Sequence, residues 1–167
     1  VPAEGYEFLH WKEGATVVST VPQYVFTVSG PRTLTAHFAL KQYMITVSAV
    51  PAAGGTVSGG GVYTHFDEAT VTASPAVGYD FVNWTENDQV VSSNPQYVFS
   101  VSAVRDLKAH FVLKEYAISL SAQPVDGGSV SGDGTYTHGQ EVTVSATAAE
   151  DYDFVRWTEN GGEVSTL

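Results

Sequence analysis

The chain carries three tryptophans, Trp11, Trp84 and Trp157, spaced 84 − 11 = 73 and 157 − 84 = 73 residues apart. Each ends the same local pattern. Tyr6-Glu7-Phe8-Leu9-His10-Trp11 is matched by Tyr79-Asp80-Phe81-Val82-Asn83-Trp84 and by Tyr152-Asp153-Phe154-Val155-Arg156-Trp157. A fixed offset of this kind is the signature of a tandem array, and it limits the fold to small units repeated along the chain. Laid over one another at that offset, the copies need no insertion or deletion, and more than half of the aligned positions are identical. Residues 43–115 form one complete repeat. Residues 1–42 read as the C-terminal part of a repeat, and 116–167 as the N-terminal part of another.

A unit of this size buries only about 60% of the surface its unfolded chain exposes. Disulfides usually help such domains, but this chain has no cysteine. Aromatic residues make up 12% of it, and each removes roughly 150–250 Å² from water when buried. The aromatic residues are therefore the expected core.

The local pattern is β almost throughout. Tyr43, Ile45, Val47 and Ala49 alternate with Met44, Thr46 and Ser48, Ala69, Val71 and Ala73 with Thr70, Thr72 and Ser74, and Leu107, Ala109, Phe111 and Leu113 with Lys108, His110 and Val112. Gly54-Gly55 and Gly59-Gly60-Gly61 mark turns around a short strand, and Pro75 closes another. Trp84 is out of phase with Tyr79 and Phe81, which predicts a bulge near Val82-Asn83 or a strand buried on both faces. Glu86 to Gln89 reads as a hairpin turn. Only Gln89 to Asn94 has room for a turn of helix. The expected fold class is all-β: tandem small antiparallel units, sandwich- or barrel-like or β-grasp-like, with six or seven strands each. Lys41-Gln42 and Lys114-Glu115 join the copies with almost no linker, which predicts a semi-rigid row.

Three segments together, Gly54 to His65, Tyr79 to Asn87, and Arg105 with Leu107 to Phe111, resemble the divergent internalin B-type B-repeat. The resemblance spans the whole chain through its three copies. It implies a multi-repeat stalk, extracellular and on the cell surface or cell wall of a bacterium. Its better-studied relatives are similar to a small β-grasp fold. No functional residues carry over from the resemblance.

The net charge of −11 excludes nucleic acid as a partner, since phosphates need Lys and Arg. No apolar run reaches the ~20 residues of a membrane span, so no membrane insertion is expected of this segment. No catalytic constellation is present: there is no Gly-x-Ser-x-Gly elbow and no repeated carboxylate pair that forms a cleft. The histidines His10, His37, His65, His110 and His138 lack partners at ligand spacing, and the acids of the third copy are not repeated, so neither metal nor cofactor is expected. The candidate ligand-stacking residues are Trp11, Trp84, Trp157, Tyr63 and Tyr136, whose rings suit a sugar face. The competing expectation is that each tryptophan plugs the core of its own unit.

The expected function is a non-catalytic stalk segment that spaces a distal domain. The alternative is an adhesive module for host glycan or protein. The expected partners are neighbouring repeats and, through head-to-tail self-association, a second molecule. In that association 116–167 of one chain would be completed by residues 22–42 of the next.

Overall fold

A computed structural model describes residues 1–165. The chain divides into two compact units, 1–112 and 113–167. Among the described residues every regular element is a strand, apart from two 3-10 turns at Ala52–Gly54 and Val125–Gly127. No helix of the described residues is long and apolar enough to cross a membrane.

The first unit opens with β1 (Tyr6–Glu13), β2 (Thr16–Ser19) and β3 (Thr35–Leu40), which form a three-stranded antiparallel sheet ordered β2-β1-β3. The middle copy follows, with β4 (Gln42–Val50), β5 (Gly55–Ser58), β6 (Gly61–Thr64), β7 (Glu68–Pro75), β8 (Tyr79–Glu86), β9 (Gln89–Ser92), β10 (Gln96–Ser100) and β11 (Arg105–Leu113). It has eight strands, one more than the alternation predicts. The addition is β6, which starts at the last glycine of the 59–61 run and pairs with β4. Gln89 to Ser92, where a helical turn had room, is β9.

These strands build two sheets, β10-β7-β5 and β6-β4-β11-β8-β9. Between them lies one core: Ala69, Val71 and Ala73 from β7, Ile45 from β4, Trp84 from β8, Leu107, Ala109 and Phe111 from β11, and Val101. The alternation along β7 and β11 thus faces inward as expected. One pairing departs from the antiparallel expectation. β4 and β11 run parallel, with Ile45 opposite Arg105 and Ala49 opposite Ala109. Parallel neighbours need a long crossover, and here β5 to β10 supply it.

The predicted hairpin joins β8 to β9. Asn87 (φ 49°) and Asp88 (φ 62°) both adopt left-handed backbone, as a two-residue hairpin of the primed class requires. The bulge predicted at Val82-Asn83 has its counterpart in the first copy, where the β1–β3 register shifts between Phe8 and His10. The β8–β9 ladder also shifts, between Trp84 and Thr85.

The second unit holds β12 (Glu115–Ile118), β13 (Gly128–Ser131), β14 (Gly134–Thr137), β15 (Ser145–Ala148), β16 (Trp157–Glu159) and β17 (Gly162–Ser165). They pair as three two-stranded sheets, β12-β14, β13-β15 and β16-β17.

Candidate functional site

Trp84 is completely buried (0% exposed). Phe81 packs beside it at 6.2 Å between ring centroids, and Phe111 meets Phe81 edge-on at 5.9 Å. Its Nε1 donates to the Pro95 carbonyl at 3.1 Å, so the one polar atom of the ring is satisfied inside the core. Trp11 repeats that bond to Pro22 at 3.0 Å but is only half-buried, with Phe8 at 6.0 Å. Trp157 is half-buried against Phe154 at 5.7 Å. A ring with no exposed face has none to offer a sugar, so stacking in the middle copy would fall to other aromatics. Tyr63 and Tyr136 are half-buried as well. Their hydroxyls donate to Gly59 and Gly132 carbonyls at 2.8 and 2.9 Å and brace the glycine turns. Within the first unit Trp84 lies in the core, Tyr63 at the Gly59 turn and Trp11 against Phe8.

A second repeated cluster escaped the reading of the sequence. Arg105 donates from Nε to both Glu86 oxygens at 3.1 and 3.0 Å, and from Nη2 to Oε2 at 2.7 Å. Nη1 reaches the Tyr97 hydroxyl at 3.2 Å, and the guanidinium lies 4.2 Å from the Phe99 ring centroid. Arg32, Glu13, Tyr24 and Phe26 repeat the arrangement in the first copy, with Arg32 Nη2 2.7 Å from Glu13 and its guanidinium 4.5 Å from Phe26. Hydrogen bonds to Glu86 raise Arg105 above its ordinary pKa, and those to Glu13 raise Arg32 in the same way. In return, Arg32 holds the Glu13 carboxyl below the usual carboxylate range, against a smaller upward push from desolvation. The signal was available: Arg and Glu recur at the same offset. Strand alternation carries no information about partners nineteen residues apart.

The join between the first and middle copies is a third cluster. A single residue, Lys41, separates β3 from β4. Its N–H donates to the Gly5 carbonyl at 2.8 Å, and its carbonyl accepts from His65 N at 2.8 Å. The His65 ring is buried, sits 5.8 Å from Tyr43, and lies against Gly5, where any Cβ would collide with it. Gly5 adopts φ 76°, so that position needs glycine for two independent reasons. Phe66, next in the chain, also takes a positive φ (76°), which is rare for a bulky residue, and stays largely exposed with its edge on His65 at 4.1 Å. The third copy has Gly139 at that position. An open recess of about 610 Å³ borders Gly5, Lys41, Tyr43 and His65.

The remaining histidines do not form a centre. His10 and His37 face each other across β1 and β3, stacked at 4.9 Å. Partial burial first, then His37 and Lys12, lower His10 below its ordinary pKa. His110 Nε2 lies 2.9 Å from Thr85 Oγ1, and His138 packs on Tyr116 at 6.0 Å. Among the described residues no three His, Cys, Asp or Glu side chains are grouped to hold a metal ion.

The family model described as the divergent InlB B-repeat domain matches the chain three times, over residues 1–42, 45–115 and 118–167. No curated protein and no solved structure matches it.

Proposed function

The chain belongs to the divergent InlB B-repeat family, a repeat module of bacterial surface proteins, and on that premise we propose that it is a non-catalytic spacer holding a distal domain away from the cell wall. The observation that carries this reading is the join. One residue links β3 to β4, and its two backbone hydrogen bonds, to Gly5 and to His65, tie one copy to the next. The second join is equally short, with Lys114 alone between β11 and β12. So short a connection leaves few free torsions, and a braced one fewer still. The Trp plug and the Arg–Glu–aromatic cluster stabilise units that have no disulfide. The acidity of the chain keeps such rows apart from one another.

The test is to shorten the array inside its parent protein while keeping the flanking domains. The spacer reading expects the outer domain to lose antibody accessibility on intact cells as repeats are removed, and the isolated chain to bind no glycan or protein ligand. Saturable binding by the isolated chain, with accessibility unaffected by repeat number, would overturn it.

The adhesive reading has one observation in its favour. Phe66 is exposed and held in a strained conformation against His65, which borders the recess at the join. An adhesive of this type would sum many weak sites along the array. Phe66→Ser would then abolish binding without unfolding the middle copy.

A further inference from the structure

Three buried side-chain atoms among the described residues have no hydrogen-bond partner: His10 Nε2, His65 Nδ1 and Asn83 Oδ1. An orphaned buried polar atom calls for a physical reason. Two of the three occupy the same position of the repeat, since 83 − 73 = 10. The surroundings of that position differ between the copies.

In the middle copy β11 supplies His110, whose Nε2 lies 2.9 Å from the hydroxyl of the buried Thr85. In the first copy the counterpart of Thr85 is Lys12, whose ammonium has no acceptor to offer an imidazole. His37, the counterpart of His110, stacks on His10 instead, with the ring planes 30° apart. His10 itself stands where the middle copy has Asn83. Two exchanges, Asn83 for His10 and Thr85 for Lys12, thus separate a hydrogen-bonded histidine from a histidine pair. The third copy has Arg156 at this position and does not repeat the pair.

The two histidines are 37 − 10 = 27 residues apart in the chain, so no ligand spacing is visible along the sequence. Strand pairing supplies it. His10 lies opposite His37 in the β1–β3 register, just past the bulge that follows Phe8. Residues directly opposite in an antiparallel pair hold their Cβ atoms about 4.5–5.5 Å apart. Two imidazoles on one tetrahedral zinc, each nitrogen roughly 2.0–2.1 Å from the ion, have ring centroids about 5 Å apart. The centroids of His10 and His37 are 4.9 Å apart. What remains is a turn of each ring about its terminal torsion, which is soft in histidine.

We propose that His10 and His37 form a two-histidine site for a divalent transition metal of the kind imidazole favours, Zn2+, Cu2+ or Ni2+. His10 Nε2 is one ligand, a nitrogen of His37 is the other, and water completes the shell. Among the described residues no third His, Cys, Asp or Glu joins them. The site is therefore open and exchangeable, unlike a closed structural centre with four protein ligands. Its effect is mechanical. A metal that binds the folded sheet and not the unfolded chain stabilises the fold by mass action, so occupancy staples β1 to β3 and stiffens the first copy. The site stands independently of the spacer role.

The test titrates the full chain with Zn2+ alone, followed by calorimetry and by NMR of the histidine rings. The expected result is one saturable equivalent per chain. The His10 and His37 signals should move together and before those of His65, His110 and His138, and the β1 and β3 amides should exchange more slowly. H10N places the middle-copy residue at that position, so the repeat tolerates the side chain, and it should lose the saturable equivalent. H37A should lose it as well. N83H/T85K carries the first-copy residues into the middle copy beside His110 and should raise the count from one equivalent to two. Absence of saturable binding at millimolar Zn2+, unchanged binding by H10N, or first movement at the other histidines would overturn the site, as would a folded N83H/T85K that still takes one equivalent.

Discussion

Replacing Trp84 by Ala should be the most damaging single truncation in the middle copy. The ring is fully buried, packs beside Phe81 and lies at the meeting point of both sheets. Removing such a side chain costs about 3–5 kcal/mol in lost transfer and unfilled volume. The lost hydrogen bond adds little, because the Pro95 carbonyl still accepts from Ala73 N at 3.0 Å and is not orphaned. A unit of this size has roughly 4–11 kcal/mol of stability in total, so the variant loses between about a quarter and all of it. Trp11→Ala is the internal control. It shares the sequence motif and the bond to a proline carbonyl, but its ring is only half-buried, so roughly half the cost is expected. Hydrogen exchange of the β7 and β11 amides reads the middle copy, exchange of the β1 amides reads the first, and urea melts give the global loss. Equal losses for the two variants, or a Trp84→Ala cost below about 1 kcal/mol, would refute the argument that burial and not motif sets the energy.

Gly5→Ala should loosen the join by about 2–4 kcal/mol, since a Cβ there meets the His65 ring and the backbone is left-handed. Gly14→Ala, with a similar φ and open space, should show only the strain, and faster exchange at the Lys41 and His65 amides in the first variant alone checks this. Arg105→Met strands Glu86 in a partly buried site and should cost about 2–3 kcal/mol in a urea melt, short of the ~3–5 of a fully buried pair. Arg105→Lys should recover only part of that, lacking the planar fork. Because Arg32 depresses the Glu13 carboxyl, its contribution to stability is complete above the unfolded value of 4.5 and is lost as pH falls through the lower folded value. Glu13→Gln should flatten the acid limb of the stability profile of the first copy. His37→Ala should move the His10 titration, followed by NMR, only part of the way back toward 6.5, because partial burial is the larger cause and remains.

Much of the fold is legible in the residues. The alternation of β4, β7 and β11, the Asn87-Asp88 turn and the one-residue joins are local matters. Each depends on side chains within a few positions of one another, and the 73-residue offset makes every such reading at least twice over. The bulge beside Trp84 was legible for the same reason, because a broken alternation is a local signal. What decides a functional site was less so. The Arg105 clamp, the fit of Gly5 on His65 and the left-handed Phe66 all depend on which distant segments meet.

The sequence by itself determined that the chain is a β array built on one repeated unit. Tertiary structure alone decided that β4 and β11 lie side by side in parallel, across a crossover no local pattern encodes. It also decided that one tryptophan of a shared motif is sealed in a core while the other two stay half-open. The physical reason is that strand propensity belongs to neighbours along the chain. Burial belongs to the second sheet that covers them, and in the middle copy that sheet draws β5 and β7 from before β8 and β10 from after it, while the parallel partner of β11 is β4, at the start of the copy.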